Sequence, residues 1–232
     1  MTAEPTEAQE HGPRAHGLLR LVPALLAMTV VSGIIDAVSY LGLGHVFTAN
    51  MTGNVVVLGF AAAGAPGFST AHALVSLGSF LVGAVAGGRL ARRYGGGSRR
   101  ARARLALAIE AVLLGTSSAV AFATPGATGT VYTLIAVTAF AMGLRNATVR
   151  KLAVAELTTT TVLTTTLTGL ASDSRIGGGP RGWSPRRTSS VLALLAGALL
   201  GGWLVLHHGL GVPLLVAALA AGVLAMTTSG RE

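Results

Sequence analysis

Between residues 21 and 227 the chain is a succession of apolar runs, and the charged connections between them carry mainly arginine. The runs at 21–43, 71–90 and 105–124 are each about 20 residues long, enough for a helix to cross roughly 30 Å of hydrocarbon. A run at 130–151 ends in a polar stretch, and runs at 189–206 and 212–227 close the chain. Two shorter segments, 47–64 and 157–172, are apolar but rich in Asn or Thr. This pattern predicts an all-α polytopic transmembrane bundle.

Composition agrees. Only 11% of the residues are charged and 51% are hydrophobic, where soluble domains carry about 25% charged residues. The net charge of +9 would suit a nucleic-acid binder, but the arginines sit between apolar runs, as the positive-inside rule requires. Seven of them fall within 89–104. No nucleic-acid motif accompanies them, so nucleic acid is not an expected partner. The chain has no cysteine, which excludes disulfides, thiol catalysis and Cys-based metal sites. Residues 1–17 carry Glu4, Glu7 and Glu10 where a signal peptide would be basic. They are expected to be a disordered cytoplasmic tail ahead of one transmembrane domain, 18–228.

Loop charge constrains topology further. If all eight segments crossed, the basic loops 89–104 and 173–187 would lie on opposite faces, against the rule. If 47–64 and 157–172 are broken or re-entrant, every arginine-bearing connection becomes cytoplasmic, and six full spans remain. A shift of 110 residues also superimposes landmarks: Gly33 on Gly143, Asp36 on Asn146, Thr48 on Thr158, Gly59 on Gly169. Two pseudo-repeated halves, 18–124 and 128–228, are therefore expected. Each would hold an odd number of spans and so be inverted in the membrane, an architecture recurrent among transporters.

The polar residues inside apolar runs are the candidate site. A carboxylate in a spanning helix normally faces the bundle interior and has a partner. Asp36 is thus either a proton, cation or substrate site, or half of an ion pair with Arg145 or Arg150. The patch Asn50-Met51-Thr52-Gly53-Asn54 reads as a broken helix lining a cavity, or as a helix N-cap. Arg145 and Asn146 stand at the corresponding place in the second half. Glu110 is expected to pair with the neighbouring arginine loop, and the Thr158–Thr161 and Thr164–Thr166 runs to be packing groups. The pair His207-His208 points to different helix faces and lacks a third ligand, so no metal is expected.

The motif SGIIDAVSYLGLGHVFTANMTGN at 32–54, with MGLRNATVRKL at 142–152 and LTTTTVLTTTLTGLASD at 157–173, resembles the YoaK-like family of bacterial inner-membrane proteins. The resemblance implies a multi-pass protein of the bacterial inner (plasma) membrane and supplies no substrate. Arg145 stands where that resemblance leads one to expect a neutral Gln. The function expected is a small-solute transporter or channel with Asp36, Asn50, Thr52, Asn54, Arg145 and Asn146 around a polar site. The alternative is a non-transporting scaffold in which these residues only stabilise packing. No catalytic constellation occurs, so no enzyme is expected, and no cofactor. The expected partners are the lipid bilayer and a small solute or ion. Oligomerisation is left open, and the N-terminus is expected in the cytoplasm.

Overall fold

The computed structural model describes residues 12–93, 99–151, 163–179 and 184–227. Among these residues every regular element is a helix: α1 (Gly12–Gly42), α2 (Met51–Ala62), α3 (Thr70–Arg93), α4 (Arg99–Ala123), α5 (Thr128–Lys151), α6 (Leu163–Ser172), α7 (Pro185–His208) and α8 (Gly211–Thr227). Among the described residues four segments are long and apolar enough to cross a membrane: Pro23–Gly42, Thr70–Arg93, Ala101–Ala123 and Arg187–His208. Large apolar side chains such as Val82, Val112, Leu199 and Leu206 point outward, as a lipid-facing surface requires and an aqueous one disfavours.

α1 begins at Gly12, well before the expected start at 21 and inside the expected tail. Ala15, Leu18, Leu19 and Arg20 are good helix formers, so the helix continues past the apolar run. Residues 1–11, and 152–162 with the Thr158–Thr161 run, lie outside the described residues.

Packing rests on small residues. α3 runs parallel to α5, and α1 runs parallel to α7. At both contacts the backbones approach so closely that glycine is required. A Cβ on Gly143 would strike Phe80 O, one on Gly83 would strike Phe140 O, and one on Gly87 would strike Leu144 O. On the other pair, a Cβ on Gly33 would strike Leu194 O, one on Gly197 would strike Val30 O, and one on Gly201 would strike the Ile34 backbone. Without a hydrophobic drive between helices in lipid, such close approach is a main source of association. α4 and α8 cross antiparallel, joined by Ser118 Oγ donating to Gly211 O at 2.8 Å.

Ring and turn contacts show which ends meet. His45 Nδ1 lies 3.2 Å from Gly67 O, Gly44 abuts His72, and the His72 and Tyr132 rings pack edge to face with centroids 4.8 Å apart. Gly42 abuts Leu210, and Gly211 abuts Phe122. The end of α1, the starts of α3 and α5, the end of α4 and the α7–α8 turn therefore share one end of the bundle. Residues 41–47, 63–72, 122–132 and 205–213 there contain no Lys or Arg, and carry His45, His72, His207 and His208. Arg92, Arg93, Arg104, Arg150 and Arg187 belong to the opposite end.

Candidate functional site

Asp36 lies six residues before the end of α1, about 9 Å inward along the helix axis. There it meets the irregular stretch 46–50. Its Oδ1 accepts from the backbone N–H of Ala49 at 3.0 Å and of Asn50 at 3.3 Å. The carboxylate thus satisfies backbone donors that lipid could not. Asn50 is the N-cap of α2, its side chain accepting from Gly53 N at 3.3 Å. Asn54 turns the other way. It is buried, its Oδ1 accepts from Phe47 N at 3.3 Å, and its Nδ2 donates to Ala73 O at 3.4 Å. Ser76 Oγ donates to Phe47 O at 2.6 Å. The polar patch therefore anchors a descent from the histidine end to the level of Asp36, from which α2 starts.

A cavity of about 580 Å³ opens at this level. Asp36, Asn50, Thr52, Arg145 and Asn146 line it together, with Ser32 and Thr164. Of the six residues expected around a polar site, Asn54 alone is absent from the lining, because both of its polar groups are spent on the 46–50 stretch and α3. The first described turn of α6 reaches the cavity through Leu163 and Thr164. The far end of α6 lies against the start of α7, where Asp173 Oδ2 accepts from Arg187 Nη1 at 2.6 Å and Gly169 packs on the Arg187 guanidinium.

The charge pairing differs from both sequence expectations. Arg145 Nη1 donates to Glu110 Oε1 at 2.8 Å, and the two residues are only 4% and 1% exposed. The same nitrogen donates to Met28 O at 3.3 Å, and Nη2 donates to Ser32 Oγ. Among the described residues Arg145 is thus not the ion-pair partner of Asp36, and Glu110 pairs with no arginine of the 89–104 loop. Burial decides this outcome: a guanidinium on the interior face of α5 needs a counter-charge at its own depth, and Glu110 on α4 supplies it. Glu110 Oε2 has no hydrogen-bond partner among the described residues. Asp36 forms no ion pair among them. Sequence reasoning misses Ser32 and Thr164 as lining residues. Ser32 opens the first motif, and Thr164 lies among the threonines read as packing groups.

Residues 24–227 match the protein family described as "Protein of unknown function (DUF1275)". The chain is also 35% identical over 150 residues to "UPF0700 transmembrane protein YoaK" of Bacillus subtilis (strain 168). That alignment covers 65% of this chain and 64% of the relative, so it spans less than two thirds of the relative's length. No solved structure matches the chain. The family match takes in Asp36, the polar patch, Glu110 and Arg145 alike, and with the transmembrane relative it makes this chain a multi-pass membrane protein that belongs to the DUF1275 family, whose function is unknown.

Proposed function

We propose that the protein is a small-solute transporter or channel of the bacterial inner membrane, built from two inverted repeats around the Asp36–Arg145 cavity. The observation that carries this reading is the opposite course of the two short helices. α2 runs from the cavity to the histidine end, and α6 runs from the cavity to the arginine end. Polar groups at mid-depth on discontinuous helices are the usual setting of a transport site. On this reading α1, α3, α4, α5, α7 and α8 cross, α2 and α6 do not, and the arginine end is cytoplasmic.

The glycine contacts support the repeat. Shifting α1 by 110 residues and α3 by 114 turns one set into the other. Gly33 on Leu194 becomes Gly143 on Phe80, Val30 on Gly197 becomes Phe140 on Gly83, and Ile34 on Gly201 becomes Leu144 on Gly87. The change from 110 to 114 corresponds to four extra residues in the connection between α6 and α7. The scaffold alternative draws on the same hydrogen bonds, since Asp36, Asn50 and Asn54 all hold the protein's own backbone.

Thr52→Cys separates the two readings. Thr52 is exposed to the cavity and makes no side-chain hydrogen bond among the described residues. In a transporter or channel, a small membrane-impermeant thiosulfonate should reach the introduced thiol from either face, depending on the state of the protein. Labelling from one face only, or from neither, favours the scaffold.

A further inference from the structure

We infer that the cavity takes a monovalent cationic group, an alkali cation or a primary ammonium, with the Asp36 carboxylate as its counter-charge; the inference rests on the transport reading above. Two side chains lining the cavity are charged, Asp36 and Arg145. Arg145 is compensated from outside the cavity by Glu110, which does not line it. Asp36 has no ion-pair partner among the described residues, and its hydrogen bonds from the protein are backbone N–H groups. Among the described residues no other charged side chain faces the cavity from α1, α2, α5, α6 or α7. Among the described residues, the side-chain charge left for a ligand is therefore the single negative charge of Asp36.

The remaining polar lining fits a cation. Asn146 and Thr164 present neutral oxygens and make no side-chain hydrogen bond to described residues. A carboxylate with neutral oxygens around it is the donor set that replaces the hydration shell of a hard cation or receives the N–H groups of an ammonium. A free anion would face Asp36 across the same cavity, where three of the five N–H donors of the lining guanidinium already go to Glu110, Ser32 Oγ and Met28 O.

The test uses the Thr52→Cys protein in proteoliposomes and the rate of its reaction with N-ethylmaleimide. Chloride salts of sodium, potassium and methylammonium are compared at equal ionic strength with N-methyl-D-glucamine, which is too bulky to be a close mimic. The bound cation should slow the reaction by the factor 1 + [L]/Kd, about threefold when its concentration is twice Kd. Protection by sodium or potassium identifies a metal cation, and protection by methylammonium identifies an ammonium solute. Asp36→Asn, which keeps the Oδ1 acceptor for Ala49 and Asn50, should abolish the protection. Equal rates in all four salts, or equal protection in Asp36→Asn, overturn the inference. If Asp36→Asn does not reconstitute, Asn146→Ala replaces it. Loss of one neutral hydrogen bond should raise the half-protecting concentration about two- to tenfold, and an unchanged concentration overturns the inference. A thiol at position 52 that reacts from both faces without cation protection removes this inference and leaves the transport reading standing. A thiol there that is unreachable from one face removes the transport reading, and this inference with it.

Discussion

Glu110→Ala is expected to destabilise the protein by about 3–5 kcal/mol, because it leaves a buried guanidinium without its counter-charge. Arg145 is 4% exposed, and Glu110 is its only acidic partner among the described residues. What remains after the substitution is Met28 O and Ser32 Oγ, two neutral acceptors for a full charge. Water cannot replace the carboxylate cheaply at that depth. Removing both charges together should be far milder. The pair costs much to desolvate, and replacing a buried pair with apolar residues of similar volume is often neutral or stabilising. Glu110→Leu with Arg145→Met should therefore recover most of the loss. Thermal unfolding of the detergent-solubilised protein, read by size-exclusion fluorescence for the parent, the Glu110→Ala protein and the double variant, checks both halves. A Glu110→Ala protein as stable as the parent would mean that the pair does not hold α4 to α5.

The glycines at the two parallel helix pairs should give the next largest effects. Gly33→Ala and Gly143→Ala each place a methyl group against a neighbouring backbone carbonyl, which cannot rotate away as a side chain can. Overpacking of this kind costs about 1–3 kcal/mol. Gly78→Ala and Gly88→Ala on α3 meet nothing within 4 Å. They should be neutral, or gain up to about 1 kcal/mol from helix propensity. The comparison also bears on the repeat. If α1 with α7 and α5 with α3 are equivalent contacts, Gly33→Ala and Gly143→Ala should lose similar stability. A large loss at one and none at the other would argue that the likeness of the two contacts has no common origin.

Much of this was legible in the sequence, for reasons particular to membranes. The apolar runs had to be helices, because hydrocarbon offers no partner for free backbone groups. The arginine clusters marked one end of the bundle. Asp36 and the Asn50–Asn54 patch were conspicuous because polar groups inside apolar runs need a reason. The pairing of those groups was not legible. Glu110 and Arg145 lie 35 residues apart on different helices, and nothing in either run shows which faces meet. Asn54 looked like Asn50, but its position on α2 turns it toward Phe47 and Ala73 and away from the cavity. The early start of α1 was hidden because apolarity marks the hydrocarbon boundary, whereas helix propensity sets where the helix ends.

The central claim is that neither α2 nor α6 carries the chain across the membrane. Two single-cysteine proteins test it most directly, against a parent that has no cysteine. Ile176→Cys is well placed after α6, since Ile176 is 92% exposed. Gly179 in the same loop is unsuitable, because a side chain there would strike the Asp173 backbone. Ala127→Cys serves the other end, since Ala127 lies exposed in the α4–α5 turn beside the histidines. With a membrane-impermeant maleimide, the Ala127→Cys protein should label in intact cells and the Ile176→Cys protein only after the membrane is opened. Labelling of both from the same face would mean that the chain crosses the membrane once more between α5 and α7. With the N-terminus cytoplasmic, the reverse pattern would mean that α2 crosses. The inverted repeat, and the mid-membrane cavity that depends on it, would then be contradicted.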